Sequence, residues 1–331
     1  MLSNCNAMLC ACLGERDANN LMAMVEHPAF SDDAACQRGE IAHSLNLLLL
    51  ADLLERVPLA AMYVAERCAA GERLFLDHGA VRSIVGAAVG LPAGRRHFAR
   101  LLEPLGYYQN SVYPLKRLKM TGYSYTHRDY PEEIGQFFVS ELDICQFDGT
   151  FQAAAHAVFD SACDPLSECS RQLLNKLSVN NSLTLSEAQR LLPQLMACFR
   201  RLHALPGRTH YETLKMYSAE AAWIATEGSA YNHVTDRIDS VDAFSDLAHK
   251  RGLPIKEKVE VSAQGSVRQT AFRAANVMRP LLNDDGLAEL VPVPGAFFEF
   301  ISRDRLADGS LDLRFDASNA QGIFKMTDSA A

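Results

Sequence analysis

Basic residues are scarce in this chain relative to acidic ones. Its 331 residues include 32 lysines and arginines against 40 aspartates and glutamates, which gives a formal net charge of −8. Proteins that bind nucleic acid usually carry a basic excess that displaces counterions, so this balance argues against nucleic acid as a partner. Apolar residues at 48% and charged residues at 22% are typical of a globular protein and exclude a disordered chain.

Long apolar runs are also missing. A membrane-spanning helix needs about 18 or more consecutive apolar residues, and the best run, Leu45 to Leu54, is interrupted by Asn46 and Asp52. No lysine or arginine precedes Arg16, whereas a secretory signal begins with positive charge. We therefore expect a cytoplasmic protein without a membrane partner.

The nine cysteines form no recognisable metal or redox motif. Their number is odd and none is part of a Cys-x-x-Cys pair. Free thiols in a reducing compartment are the simplest interpretation, because disulfides are rare there.

Hydrophobic periodicity divides the chain into four segments. Helical spacing dominates two of them, and short apolar runs bounded by glycine, typical of strands, dominate the others. The segments are a helical N-terminal part at 1–70, a strand-rich part at 71–150, a helical insertion at 151–226 and a second strand-rich part at 227–331. Within the insertion, Ser186-Glu187-Ala188 predicts a helix start with serine as the cap.

The two strand-rich segments repeat one another. Three motifs recur in the same order: Asp77-His78-Gly79-Ala80-Val81-Arg82 with Asn232-His233-Val234-Thr235-Asp236-Arg237, then Phe98, Leu101 and Gly106 with Phe244, Leu247 and Gly252, then Gly135-Gln136-Phe137-Phe138 with Gly295-Ala296-Phe297-Phe298. Chance similarity among common residue types is the alternative. The repeat predicts an α+β fold in which two βαβββ modules build one central sheet or barrel, with the helical segments packed outside.

Three residues of the repeat predict a metal site. His78 and His233 occupy equivalent positions on the first strands of the modules, which we expect to lie side by side. Glu299 lies within an apolar strand, where a carboxylate is costly unless it is paired or bound to metal. Two imidazoles and one carboxylate form the facial triad typical of non-haem Fe(II). Glu299 could instead pair with Arg303 or Arg305, and we expect ordinary roles for the other eight histidines: 27, 43, 97, 127, 156, 203, 210 and 249.

Arg82 is the candidate for binding a substrate. It lies four residues after His78, so on a strand both share one face at a separation of about 13 Å. A guanidinium binds a carboxylate bidentately, although a salt bridge to Asp77 or Glu72 is the alternative. Arg273 is a weaker candidate for a second anion contact, and Arg237 fits a structural role better.

These residues resemble a known family. The motifs are His78-Gly79-Ala80-Val81-Arg82, Thr126-His127-Arg128-Asp129-Tyr130-Pro131, Asn232-His233-Val234-Thr235-Asp236-Arg237, Pro294-Gly295-Ala296-Phe297-Phe298-Glu299-Phe300 and Gly322-Ile323-Phe324. They are similar to those of the 2-oxoadipate dioxygenase/decarboxylases, also called 2-hydroxyglutarate synthases, from about residue 70 to about 327. The resemblance implies a vicinal-oxygen-chelate type fold and an Fe(II) cofactor held by His78, His233 and Glu299. It also implies that Arg82 binds the substrate carboxylate.

The implied activity uses a small 2-oxo acid and O2. An acid such as 2-oxoadipate would lose CO2 and leave as a shortened 2-hydroxy acid such as 2-hydroxyglutarate. The chain lacks a segment that longer members carry after the glutamate strand, and the family's substrate-contacting Val-Ser pair falls on Ser318-Asn319, which predicts a more polar and open pocket. A metal-dependent lyase, isomerase or hydrolase, and a metal-free binding module, are the alternatives. The sequence leaves the oligomeric state open.

Overall fold

The computed structural model describes residues 3–31 and 33–316. The helices of this part of the chain are α1 Asn4–Leu13, α2 Glu15–Met24, α3 Arg38–Arg56, α4 Pro58–Ala69, α5 Arg96–Leu102, α6 Gly149–Phe159, α7 Glu168–Asn180, α8 Leu185–Ala197, α9 Arg208–Tyr217, α10 Ala219–Glu227 and α11 Val241–Lys250. The strands are β1 Cys36–Gln37, β2 Leu76–Val85, β3 Tyr107–Leu115, β4 Met120–His127, β5 Gln136–Asp143, β6 Ser182–Leu183, β7 His233–Arg237, β8 Glu260–Val261, β9 Val267–Ala271, β10 Asn276–Leu282, β11 Ala288–Pro294 and β12 Phe297–Arg303. The Gly322-Ile323-Phe324 motif lies outside the described residues.

One eight-stranded sheet carries both modules. Its strand order is β3-β4-β5-β2-β7-β12-β9-β8, and β2 and β7 pair antiparallel at its centre. In each module the first strand is innermost, followed outward by the fourth, third and second strands. The first strand also pairs in parallel with the fourth, as β2 with β5 and β7 with β12. The α+β fold of two βαβββ modules predicted from the repeat is therefore confirmed.

A hairpin that the sequence did not predict interrupts the second module. Strands β10 and β11 form their own two-stranded sheet between β9 and β12. Three prolines, Pro280, Pro292 and Pro294, lie in these strands, and proline normally argues against a strand because it lacks the N–H donor. A two-stranded ribbon tolerates them, because in the described part of the chain, apart from a single bridge between Leu282 and Gly207, its strands pair only with each other.

The helical segments surround the sheet as expected, with one correction at a helix start. Helix α8 begins at Leu185 and its N-cap is Thr184, not Ser186. The Thr184 hydroxyl accepts a hydrogen bond from the Glu187 N–H, and the Glu187 carboxylate accepts one from the Thr184 N–H. This reciprocal capping box satisfies two free donors at once, which Ser186, already inside the helix, does not achieve.

The two faces of strand β12 have different environments. Phe298 and Phe300 point to one face, where their rings lie 5.6 and 4.9 Å from that of Tyr63 in the main apolar core. Glu299 points to the opposite face, because successive side chains of a strand alternate. That face carries a pocket lined by polar residues from several strands.

The cysteines and the apolar helices follow the expectations from composition. All nine cysteines, each at a described position, are unpaired thiols, as the sequence predicted. Among the described residues no helix combines the length and apolar character needed to cross a membrane.

Candidate metal centre and substrate pocket

Three neighbouring strands bring the predicted ligands together. His78 on β2 and Glu299 on β12 both lie opposite Thr235 of β7, and His233 is two residues before Thr235 on the same face. The Glu299 Oε2 atom lies 3.3 Å from His78 Nε2 and 3.6 Å from His233 Nε2. All three side chains are buried, and one ligand atom of each falls within 4.8 Å of the others. They form a compact candidate site for a single metal ion.

Two buried atoms of this cluster fit a cation. Among the described residues, His233 Nε2 and Glu299 Oε1 have no hydrogen-bond partner. Such atoms are costly to bury, because they have lost water without a replacement. A divalent cation between the imidazoles and the carboxylate would satisfy both, so the residues present fit a bound metal.

The Thr235 hydroxyl connects two of the ligands and was not anticipated from the sequence. It donates to Glu299 Oε2 at 2.8 Å and lies 3.1 Å from His78 Nε2. Its position in the repeat, two residues after His233, is the signal that could have identified it, because residues two apart share a strand face.

Each histidine is oriented by the residue that precedes it. His78 Nδ1 lies 2.9 Å from an oxygen of Asp77, and His233 Nδ1 lies 3.2 Å from the amide oxygen of Asn232. Partners of this kind fix the tautomer and ring orientation of a metal ligand. The equivalent positions of Asp77 and Asn232 in the repeat agree with equivalent roles.

Arginines neutralise the buried Asp77 rather than Glu299. Arg303 and Arg237 each contact an Asp77 oxygen at 2.8 Å. Arg305 instead faces Glu132, at 3.5 Å. Neither arginine considered as a partner of Glu299 from the sequence therefore pairs with it, and Arg237 has the structural role expected.

The protonation preferences of the three ligands differ. Burial lowers the pKa of His233 to about 3, so its imidazole is neutral. The pKa of His78 is raised, because hydrogen bonds to Asp77 and Glu299 outweigh the opposing effect of burial. Burial alone would favour protonated Glu299, but the two histidines lower its pKa to about 2. Glu299 is thus an ionised ligand, and His78 is the ligand that protons compete for.

A pocket of about 460 Å³, including its opening to solvent, lies against this cluster. Residues from both modules line it: His78, Ala80, Arg82, Phe138, Ser140, Asn232, His233, Gln269, Phe315 and Asp316. The Phe315 ring packs 4.8 Å from that of His78, and the Phe315 N–H donates to the Tyr113 hydroxyl. The segment after β12 therefore returns to cover the metal cluster, which no motif had indicated.

Arg82 lines this pocket, and its partner comes from the helical insertion. Its Nη2 atom contacts Glu220 Oε2 of α10 at 2.6 Å, and its guanidinium lies 4.7 Å from the Trp223 ring centre. The salt bridge considered from the sequence, to Asp77 or Glu72, is thus replaced by one to Glu220. Burial lowers the pKa of Arg82, and Glu220 counteracts that shift. No local pattern connects positions 82 and 220, so only the fold reveals the pair.

The structure leaves the other predicted substrate contacts untested. The Arg273 side chain is half-exposed, faces Glu257 at 3.5 Å and is not among the described residues that line the pocket, so its role as a second anion contact stays a prediction. Ser318 and Asn319 lie outside the described residues.

Comparison with known proteins identifies the family of this chain. The sequence model of the family described as 2-oxoadipate dioxygenase/decarboxylase matches residues 52–325. The chain belongs to this family. Both modules and all three candidate ligands fall within the matched range. A search of curated proteins gives no significant match.

Several solved structures are similar in fold to this chain. A glyoxalase superfamily protein from Ralstonia eutropha JMP134 is 43% identical, with a TM-score of 0.92 over 96% of this chain and 99% of that one. The hydroxyglutarate synthase of Oryza sativa, solved with 2-oxoadipate, is 16% identical, with a TM-score of 0.68 over 92% and 98% of the chains. Its counterpart from Pseudomonas putida is 17% identical, with a TM-score of 0.64 over 89% and 74%. The vicinal-oxygen-chelate architecture expected of the family is therefore confirmed.

Proposed function

We propose that this family member is an Fe(II)-dependent dioxygenase that decarboxylates a small 2-oxo acid and hydroxylates the remainder. The observation that carries the proposal is the buried cluster of His78, His233 and Glu299, in which two atoms, His233 Nε2 and Glu299 Oε1, have no hydrogen-bond partner among the described residues. Two imidazoles and a carboxylate suit Fe(II) and leave coordination positions open for substrate and O2. 2-Oxoadipate, named in the family description and bound in related structures, is the reference substrate.

The proposed reaction balances with O2 as the only co-substrate. 2-Oxoadipate and O2 give 2-hydroxyglutarate and CO2; one oxygen atom enters the new carboxyl group and the other the hydroxyl group. Bound Fe(II) supplies the Lewis acid and redox chemistry that this conversion needs. His78, His233 and Glu299 hold the ion, while Asp77 and Asn232 keep the imidazoles in their ligand orientation.

Arg82 is proposed to hold the distal carboxylate of the substrate. It shares the pocket face of β2 with His78, at about 13 Å by strand geometry, which leaves room for a six-carbon acid between metal and guanidinium. Phe138 and Phe315 line the same pocket, and their rings would exclude water from the reacting carbon. Ser318 and Asn319 remain proposed contacts of the pocket wall.

The deciding experiment combines metal reconstitution with a substrate screen. The protein would be loaded anaerobically with Fe(II), Mn(II) or Zn(II), supplied with 2-oxo acids of four to seven carbons, and then exposed to O2. We expect release of CO2 in equal amount to the O2 consumed, with Fe(II) alone. Turnover that proceeds without O2, or equally well with Zn(II), would point to a lyase, isomerase or hydrolase on the same scaffold.

A further inference from the structure

The guanidinium of Arg82, which is the proposed substrate contact, already forms a buried ion pair in this structure. Arg82 on β2 and Glu220 on α10 are 1% and 3% exposed, and their charged atoms are 2.6 Å apart. The Trp223 ring, from the same helix as Glu220, packs against the guanidinium. Glu220 thus supplies the counter-charge that a buried arginine needs when no substrate is present.

A second carboxylate at the same guanidinium would meet Glu220. Arginine has five N–H donors in a planar fork, so geometry allows it to contact two carboxylates. Electrostatics opposes the arrangement, because like charges repel strongly where water is excluded. Among the described residues that line the pocket, apart from the metal ligands, two are charged. One is Arg82 and the other is Asp316, which is acidic like Glu220. The guanidinium of Arg82 is thus already paired with Glu220, and the other charged residue of the lining adds no positive charge.

We propose that Glu220 is a specificity-determining residue that competes with the substrate's distal carboxylate for Arg82. The inference rests on the proposed function, in which Arg82 receives that carboxylate. It predicts that the pocket has only a limited preference for dicarboxylic over monocarboxylic 2-oxo acids, because repulsion from Glu220 offsets the favourable contact with Arg82. A neutral tail makes neither interaction and is insensitive to Glu220.

Replacement of the competing carboxylate distinguishes this role from simple positioning of Arg82. Glu220→Gln keeps the size of the side chain and its ability to accept a hydrogen bond from Arg82, but removes the negative charge. If Glu220 competes, the variant binds a diacid more tightly. If Glu220 only holds Arg82 in place, the variant binds a diacid more weakly.

Two acids of equal carbon number make the comparison specific. Anaerobic calorimetry on the Fe(II)-loaded protein would measure Kd for 2-oxoadipate and for 2-oxohexanoate, which lacks the distal carboxylate. We expect Glu220→Gln to lower Kd for 2-oxoadipate about tenfold and to leave Kd for 2-oxohexanoate within about twofold. Glu227→Gln is the matched control, because Glu227 lies on the same helix and pairs with Arg279 instead. An unchanged or higher Kd for 2-oxoadipate would overturn the inference, as would an equal change for both acids.

Two further measurements keep the test decisive. Should Glu220→Gln fail to fold, Glu220→Asp retains the charge but withdraws it by one methylene, and a smaller change in the same direction is expected. Turnover is recorded separately as O2-dependent release of CO2. Absence of turnover with the expected pattern of Kd values would reject the proposed reaction alone. Absence of binding by both acids would reject the substrate class and the inference together.

Discussion

The three candidate ligands can be tested one residue at a time. We expect His78→Gln, His233→Gln and Glu299→Gln each to reduce the iron retained after anaerobic reconstitution from about one ion per chain to well below half, since a site of three protein ligands loses much of its affinity with any one. Elemental analysis after desalting gives the measurement. His97→Gln is the control, because His97 is equally buried but bonds the Cys198 carbonyl oxygen. Full iron retention by any of the three variants would remove that residue from the site.

Arg82 must be tested together with its partner. Arg82→Ala alone would leave Glu220 buried without its counter-charge, which destabilises the fold by about 3–5 kcal/mol. In the double variant Arg82→Gln with Glu220→Gln, we expect kcat/KM for 2-oxoadipate to fall about a hundredfold, the loss of a charge-assisted contact worth about 3 kcal/mol. Iron binding and turnover of 2-oxohexanoate should change little. Equal losses for both acids, or loss of iron, would show that Arg82 is structural.

Protons and metal compete at His78. Its pKa is raised by Asp77 and Glu299, whereas His233 and Glu299 have a pKa of about 3 and about 2 and do not titrate near neutrality. Metal binding must therefore release one proton from His78 whenever the pH is below its raised pKa. We expect metal affinity to fall as the pH falls, by up to about tenfold per pH unit. Titrations with Co(II) between about pH 5 and 8 would show this slope, and a flat profile would contradict it.

At the scale of single elements, strand β2 depends on a glycine between two pocket residues. A Cβ added at Gly79 would collide with the ring of Tyr231, which is fully buried and donates to Asn46 at 3.0 Å. We expect Gly79→Ala to destabilise the fold by about 1–3 kcal/mol through overpacking. Urea unfolding measures the change. Gly149→Ala is the control, because a Cβ there at the start of α6 meets no atom within 4 Å. Equal effects of both variants would contradict the packing argument.

Elements differed in how well the sequence revealed them. The strand-rich character of residues 71–150 was evident from short apolar runs bounded by glycine, and β2 lies there from Leu76 to Val85. The hairpin of β10 and β11 was missed, because its prolines and exposed side chains imitate a loop. Local pattern therefore identifies strands inside the main sheet better than ribbons at its periphery.

At the scale of the whole molecule, the antiparallel pair β2 and β7 joins the modules, and one apolar cluster includes residues from both. We therefore propose that the four segments, which meet at residues 70, 150 and 226, unfold together as one cooperative unit. We expect a single unfolding transition in urea, because the segments share that core. Far-UV circular dichroism and fluorescence of Trp223, the single tryptophan, should change together. Separate transitions would show that the segments fold independently.

The sequence by itself determined the two-module fold and the three candidate ligands. The repeat placed His78 and His233 at equivalent positions, and Glu299 was conspicuous as a carboxylate within an apolar strand. Both inferences needed only strand periodicity and the cost of burying charge, which are properties of short stretches of chain. The resemblance to the family implied, for the same residues, an Fe(II) site that acts on a 2-oxo acid.

Only the tertiary structure decided what surrounds these residues. The pairing of Arg82 with Glu220 joins positions 138 residues apart, and the covering of His78 by Phe315 joins positions 237 residues apart. Neither contact leaves a local pattern, because each partner belongs to a different element and is a common residue type. Packing also gives Arg273 the neighbour Glu257, which no motif had indicated. Strand periodicity thus fixes which face a residue occupies, while the packing of distant segments against that face decides which charge it meets.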